Sequence, residues 1–561
     1  MKRVISLCLF TLLLSCVSTS KVIDDPNFFG NFNPINPDEK YSLKAETPWH
    51  GDAVFYHIWV KAFSDSNGDG IGDIRGIIQK LDYLNDGDPS TSNDLGVTGI
   101  WLSPIFECDF KGDNMHGYDT VDYYKINEKF GTEADVIELL SEAHKRGIRV
   151  IFDYVVNHTS SKHPWFLDSK NGGEKRDWYI WKKNPSKEDT KTKKWQRAWG
   201  GGNWTNVWHR HADWYYYGAF WSGMPDLNLK NRDTREEMAN VLVYWLNKGF
   251  DGVRIDAVRY ISEDGPDAAA DRPDTHVFFK KMRGDIFEKY NAAGYAKMMV
   301  GEAWTDKDKI LPYYGNGTDE LHMCFDFPMA YTIRDTVKSG ERSAAKVENL
   351  NNYFEYIENT LPKGAVNAPF LTNHDEVASR PFTDYGGNID KCILAAGLAI
   401  LAHGSPFIYN GNELGMADGK AKGDMRHRTR IELEKIESLL ADKDSILNWH
   451  KYFIKLKKSY SALRTGGYKR VPSDDGKTLA FLRYNDSETM LIVAGFNKET
   501  KSVSLDFSGI DVPKGEVTLL LGKTAGKNLS LTDENLSKFT VGDIEPASMQ
   551  VYIFGVGERI R

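Results

Sequence analysis

The 561-residue sequence has only five cysteines, no broad excess of basic residues and no long apolar run outside its extreme N-terminus. Cys8 and Cys16 fall in that terminal run, leaving Cys108, Cys324 and Cys392, an odd number without the spacing of a metal site. A disulfide framework is therefore not expected. Cys324 and Cys392 sit in apolar runs and read as inert core thiols. Lys and Arg total 71 against 79 Asp and Glu, a net charge of −8, so the electrostatic footprint of a nucleic-acid-binding protein is missing. No later segment approaches transmembrane length, and no internal repeat is evident.

What is present is ordinary globular composition, 41% hydrophobic and 27% charged, in a chain long enough for two to four domains. Fifteen Trp and 27 Tyr make a high aromatic load. Such rings serve a core or a flat polar ligand such as a sugar. Lys2 and Arg3 precede the apolar run Val4–Leu14, which is too short to span a bilayer. The run closes on Leu13-Leu14-Ser15-Cys16, which resembles the bacterial lipoprotein box, with Cys16 as the lipidated residue after cleavage. An ordinary secretory signal cut nearby is the alternative. Either reading exports the protein, and the first anchors it to a membrane facing the periplasm or the cell surface. Residues 1–16 are thus a signal, and 17–45, rich in Asn, Pro, Asp and Ser, read as a flexible tether.

Short, mostly apolar runs then recur at 54–63, 97–106, 148–156, 249–259, 298–302, 323–327, 368–372 and 406–409. Continuous apolar runs suit strands covered on both faces, and amphipathic helical segments such as 133–146, 234–247 and 275–290 lie between several of them. Eight such β-then-α units predict an α/β fold, a (β/α)8 TIM barrel over 46–465. Runs three and four lie about twice the usual step apart. The excess, 158–224, holds a Lys-rich run from Lys182 to Lys194 and the aromatic cluster Trp195, Trp199, Trp204, Trp208, Trp214, Tyr215 and Tyr216. An insertion after a barrel strand lands on the catalytic face, so this reads as a small inserted domain, with the Lys run as a solvated loop. From 466 to 561 the texture changes to strands with turn-rich links, predicting a C-terminal antiparallel β-sandwich domain.

Carboxylates recur just past the barrel strands: Asp153, Asp256, Glu302 and Asp375. Arg254 and Asp256 are two apart on one strand and share a face, so the guanidinium favours an ionised carboxylate. On that stretch alone a nucleophile and a structural ion pair fit equally. Several acids converging on one barrel mouth, without a cluster of ligand-like His, suit glycoside hydrolysis better than metal hydrolysis. Asp256 suits the ionised role. Glu302, flanked by Gly301 and the apolar Ala303-Trp304, suits the protonated one.

Five short segments in order, Asp153-Tyr-Val-Val-Asn-His158, Met224-Pro-Asp-Leu-Asn228, Gly252-Val-Arg-Ile-Asp256, Gly301-Glu302-Ala-Trp304 and Leu371-Thr-Asn-His-Asp375, make the chain resemble the α-amylase family of glycoside hydrolases. The resemblance implies that Asp256 is the nucleophile, Glu302 the general acid/base and Asp375 the transition-state stabiliser. It places Tyr118, His158, Arg254 and His374 around the sugar at the cleavage site. It implies a retaining mechanism, for which the carboxyls of Asp256 and Glu302 should lie about 5–5.5 Å apart. The implied substrate is an α-1,4-glucan such as starch, glycogen or a maltooligosaccharide.

The loop Asp65-Ser-Asn67-Gly-Asp69-Gly-Ile71-Gly-Asp73 offers oxygen side chains at alternate positions, as Ca²⁺ requires. An Asx-rich turn capped by its own side chains is the alternative. The loop resembles the family's calcium loop, with the Ile71 carbonyl as one ligand. Trp204, Trp208 and Trp221 are candidates for stacking on sugar or for filling the core of the insertion. Met224 and the Gly301-Glu-Ala-Trp304 segment look like the group that includes lipoprotein α-amylases, between oligo-1,6-glucosidases and neopullulanases. One departure stands out. Many α-amylases follow the nucleophile segment with Lys-His, which contacts the leaving-group sugars, whereas this chain has Arg259-Tyr260. Alternative activities are an exo-acting α-glucosidase or oligo-1,6-glucosidase, a glucanotransferase, and, more remotely, a non-catalytic glycan-binding lipoprotein.

Overall fold

The computed structural model describes residues 27–45, 48–109, 111, 115–183, 197–198, 207–265, 268–375, 377–523 and 529–555. The signal with Cys16, most of the Lys-rich run, and Trp195, Trp199 and Trp204 lie outside the described residues.

Eight parallel strands form the centre: β1 (Phe55–Ile58), β2 (Gly99–Leu102), β3 (Arg149–Tyr154), β4 (Gly252–Ile255), β5 (Met298–Gly301), β6 (Met323–Phe325), β7 (Val366–Ala368) and β8 (Phe407–Tyr409). They pair in the order β7-β6-β5-β4-β3-β2-β1-β8, and a parallel bridge from Phe370 to Phe407 closes the circle. Side chains alternate across each strand because the pleat has period two. Phe55, Trp101, Ile151, Met298, Val300 and Met323 fill the barrel. Tyr56, Ile100, Phe152, Val253 and Met299 face outward to the helices. The same alternation turns Asp153 and Arg254, which are register partners, inward at the end of the barrel.

Seven of the strands fall within the expected runs. The seventh, at Val366–Ala368, begins two residues before the expected 368–372. The polar Asn367 at its centre hides it from an apolar-run reading, and the structure satisfies that side chain by an Nδ2 bond to Asp326 Oδ2 at 2.9 Å. Helix α1 (Glu133–Lys145) starts with a capping box between Thr132 and Asp135. Helix α2 (Arg232–Asn247) leads into β4.

The expectation of a flexible tether fails for its described part. Phe28 and Phe29 are buried against the aromatic face of helix α3 (Pro273–Met282), with Phe29 in edge contact with Phe278 at 5.5 Å. The amides of Asn31, Asn33 and Asn36 donate to the side chains of Glu236, Asn240 and Asn247 along α2. Gly249, at φ 120°, makes room for this strap, since a Cβ there would lie 2.7 Å from the Tyr41 carbonyl oxygen. Polar composition misled because the strap is held mainly through its backbone.

In the insertion, Trp181–Lys183, Trp214–Tyr217 and Trp208–His211 form a three-stranded antiparallel sheet. Bridges from His158 to Asp226 and from Tyr179 to Leu227 tie it to the barrel. Beyond the barrel, a six-stranded antiparallel sheet, Gly467–Val471 to Ser548–Phe554, and a two-stranded one, Lys501–Leu505 with Phe539–Ile544, enclose a separate apolar core that includes Leu491, Val503, Val517 and Phe539. This is the expected sandwich. Cys108, Cys324 and Cys392 are buried, and no disulfide joins them among the described residues.

Candidate active site

Every residue expected at the cleavage site reaches one place, the C-terminal mouth of the barrel. Asp153 comes from the end of β3, Arg254 and Asp256 from β4, Glu302 from just after β5, and His374 and Asp375 from the loop after β7. Tyr118 and His158 enter from the loops after β2 and β3.

Arg254 is the hub. Its Nη1 lies 2.8 Å from Asp153 Oδ1 and 2.6 Å from Asp256 Oδ1, while Nη2 lies 2.8 Å from Glu302 Oε2. One planar fork thus brings the two expected catalytic carboxyls together, each on a different terminal nitrogen. Asp256 is followed by Ala257 at φ 52°, a left-handed conformation rare for a residue with a Cβ. That turn aims the Ala257 amide back at Glu302 Oε2, 3.1 Å away. Both contacts of Glu302 fall on Oε2, which leaves Oε1 as the atom to carry a proton.

Burial pushes the Glu302 carboxyl well above the usual range, opposed by Arg254 and reinforced by the charges of Asp256 and Asp375. Burial also raises Asp375, to about 6, against the pull of Arg428. Asp153 rises to about 7 for the same first reason, with Arg254 opposing and Asp256 adding to it. The imidazoles move the other way. Burial holds His374 well below its ordinary value, helped by the nearby basic groups of His57, Arg428 and Arg254, so it is neutral. Burial lowers His158 despite the favourable charge of Asp256.

Tyr118 links these groups: its hydroxyl donates to Asp153 Oδ2 at 2.9 Å and meets His374 Nε2 at 2.6 Å. With the tyrosine proton given to Asp153, the neutral imidazole donates from Nε2. His158 Nε2 reaches the Tyr118 carbonyl at 3.1 Å. The floor and wall add residues that the motifs did not single out. The Trp101 indole donates to Asp153 Oδ2 at 3.3 Å and stacks on His57 at 3.5 Å. Trp59 stacks on His374 at 5.1 Å. Arg428, from the loop after β8, pairs with Asp375 Oδ1 at 3.0 Å and donates through Nε to the His374 carbonyl at 3.0 Å. The strand pattern could have supplied Trp101, which points inward on β2. Nothing in the polar stretch around Arg428 marks it.

Outside this centre, the Asp65–Asp73 loop is wound on its own amides. Asp65 Oδ1 accepts from Asn67 and Gly68 and its Oδ2 from Gly70, while Asp73 caps the helix Ile74–Ile78. Asp69 pairs with Lys129 at 3.1 Å. Among the described residues no three Asp, Glu, His or Cys side chains converge as a metal cage. Trp208 is buried in the small core of the insertion with Tyr217 and Phe220, and the half-buried Trp221 directs its Nε1 to Met224 Sδ at 2.8 Å. No helix among the described residues is long and apolar enough to cross a membrane.

Residues 57–452 match the family described as alpha amylase, catalytic domain. An α-amylase 3 of Dictyoglomus thermophilum is 32% identical over 477 residues, 80% of this chain and 86% of that protein. An oligo-1,6-glucosidase of Heyndrickxia coagulans is 30% identical over 559 residues, 85% and 96% of the two chains. The crystal structure of an α-amylase from H. orenii superposes with a TM-score of 0.72 at 31% identity, covering 90% of this chain and 99% of that one. With a closed parallel barrel whose mouth gathers three carboxylates around one arginine and a fourth on another, and with relatives on both sides of the amylase–glucosidase divide, the chain belongs to the α-amylase family of glycoside hydrolases.

Proposed function

We propose that the protein is a retaining hydrolase of α-1,4-glucans, acting on starch, glycogen or maltooligosaccharides. The observation that carries this reading is the Arg254 fork, with Asp256 on Nη1 and Glu302 on Nη2. In the first step Asp256 Oδ2, the oxygen not held by Arg254, attacks the anomeric carbon. Glu302 delivers its proton to the departing glycosidic oxygen, and the C–O bond breaks to leave a glycosyl ester on Asp256. In the second step Glu302, now a carboxylate, removes a proton from water, whose oxygen displaces the ester and restores Asp256. Asp375, His374, His158 and Tyr118 hold the sugar ring as positive charge develops on it. Burial keeps Glu302 protonated between turnovers against the pull of Arg254, with Asp256 and Asp375 adding to it.

The proposal extends to a structural Ca²⁺ that would draw together the oxygens of Asp65, Asn67, Asp69, Asp73 and the Ile71 carbonyl, the donor type that ion takes. Amide bonds to Asp65 leave carboxylate lone pairs free, and Gly68 and Gly70, at φ 82° and 84°, already bend the loop. Occupancy requires Asp69 to leave Lys129. A lowered melting temperature in EGTA, restored by Ca²⁺, is the expected result. Attachment through a lipidated Cys16 on the outer side of a membrane completes the proposal, read by palmitate incorporation that is lost in Cys16→Ser.

A product chromatogram on amylose, pullulan and maltotriose tests the main reading. Internal cleavage of amylose to mixed maltooligosaccharides supports it. Glucose as sole product, from short substrates alone, would replace it with an exo-acting α-glucosidase.

A further inference from the structure

The N-terminal strap runs along the barrel wall in one direction. Helix α2 leads into β4, so it starts level with the catalytic mouth and ends at the base, and its 16 residues make it about 24 Å long. The strap descends beside it: the Asn31 amide meets Glu236, that of Asn33 meets Asn240, and that of Asn36 meets Asn247. Phe28 fixes the upper end. Its carbonyl accepts from Arg235 Nε at 2.7 Å, and its ring lines a small cavity with Leu229, Ile261 and Ser262, the last two from the loop after β4. The lower end is fixed at the base, where the Ala45 amide donates to the Gly294 carbonyl at 2.9 Å and the Ala45 carbonyl accepts from the Ala296 amide at 3.0 Å.

This path decides which end of the barrel an N-terminal attachment presents. A chain that left the barrel at Ala45 would leave from the base, far from the catalytic carboxyls. Docked as a strap, it leaves at Asn27, level with the start of α2. The eleven steps from Cys16 to Asn27 cover at most about 40 Å by any path, whereas the 29 steps from Cys16 to Ala45 cover up to about 100 Å. The docking has enough free energy to persist in a tethered protein. Phe28 and Phe29 are both buried, and burial of each ring contributes about 1.5–3 kcal/mol before the backbone bonds are counted.

We propose that the strap orients the attached enzyme, so that the catalytic mouth, and not the base of the barrel, is the end nearer the membrane, with the α2–α3 side closest to the lipid. This rests on the attachment through Cys16 proposed above. Substrate then enters, and product leaves, in the layer of solvent next to the lipid.

The test places the lipidated protein in phosphatidylcholine vesicles that carry an acceptor dye on the lipid; a neutral lipid excludes orientation by charge. A donor dye is attached at Asp233→Cys, exposed at the start of α2, or at Lys145→Cys, exposed at the end of α1 on the same side of the barrel. Cys108, Cys324 and Cys392 are buried and take no dye. The donor at position 233 is expected to lose more of its emission to the lipid than the donor at 145. Equal losses, or the opposite order, would overturn the proposal. Phe28→Ser combined with Phe29→Ser unpins the strap and is expected to reverse the order, with maltotetraose turnover showing that the barrel is intact. An intact barrel that keeps the parental order would remove the strap as the cause. A Gly-Ser linker of about 40 residues inserted ahead of Asn27 leaves the strap docked and lengthens its reach, so the difference between the two donors is expected to vanish. A difference that persists would assign the orientation to another surface. Failure to incorporate palmitate would instead remove the attachment reading; a hexahistidine tag in place of residues 1–16, held on nickel-chelating lipid, then reads the same order.

Discussion

Asp256 Oδ1 lies 2.6 Å from Arg254 Nη1, an ion pair closed between a residue of β4 and one just past its end. β4 turns Arg254 into the barrel, and Asp256 meets it from the turn that follows. Asp256→Asn keeps the oxygen that accepts from Arg254 and removes only the anionic nucleophile. The expected outcome is a loss of kcat of about 10⁴-fold or more on amylose, with folding temperature and maltooligosaccharide affinity close to those of the parent. Residual turnover near the parental rate, measured as reducing-sugar release, would remove Asp256 from the nucleophile's role.

The pairing of Arg428 with Asp375 gives a prediction for the acid side of the pH profile. Burial pushes Asp375 up to about 6, and Arg428 is the main group holding it down. Arg428→Gln removes that positive charge, so the carboxyl rises further and is protonated at higher pH. If Asp375 must be ionised, the acidic limb of kcat/KM moves upward by about one unit. The alkaline limb, which reports loss of the Glu302 proton, moves much less. An unchanged acidic limb would assign it to another group.

At the opposite end of the barrel Asp251 is a stability residue. Its carboxylate is fully buried, 2.9 Å from Arg149 and 2.7 Å from His144, and accepts the Val150 amide at 2.9 Å. Burial alone would raise its carboxyl, but His144, Lys297 and Arg149 together depress it. A depressed carboxyl stabilises the fold above its unfolded value of about 3.9 and loses that contribution as pH falls. Asp251→Asn should cost about 3–5 kcal/mol at neutral pH, because the buried Lys297 ammonium and the half-buried Arg149 guanidinium lose their counter-charge. In urea titrations the gap between parent and variant narrows as pH drops from about 5.

The barrel and the carboxyls gathered at its mouth were legible because both follow local rules. Strands covered on two faces leave apolar runs, and catalytic groups stand where such runs end. The pairing of Arg254 with Asp256 needed only the period of a strand. Contacts made by distant segments were not legible. Arg428 reaches Asp375 from a polar loop without periodicity, and Asn367 disguises β7 because its partner, Asp326, is far along the chain. The Asp65–Asp73 loop was legible as a cluster of oxygens suited either to a cation or to its own amides, and many of them are used on those amides.

The N-terminal strap gives the last prediction. Its composition is that of a linker, yet Phe28 packs beneath the Arg235 guanidinium at 4.1 Å and against Phe29 at 5.0 Å. Arg149 donates to the Leu43 and Lys44 carbonyls at 3.1 and 3.2 Å, tying the strap to the base of β3. Phe29 is 2% exposed, so Phe29→Ala opens a cavity between α2 and α3. The expected cost is about 3–5 kcal/mol in denaturant unfolding, as for other buried Phe→Ala changes. A true tether would lose less than about 0.5 kcal/mol. The strap lies away from the catalytic carboxyls, so the variant should keep its parental kcat at temperatures where it remains folded.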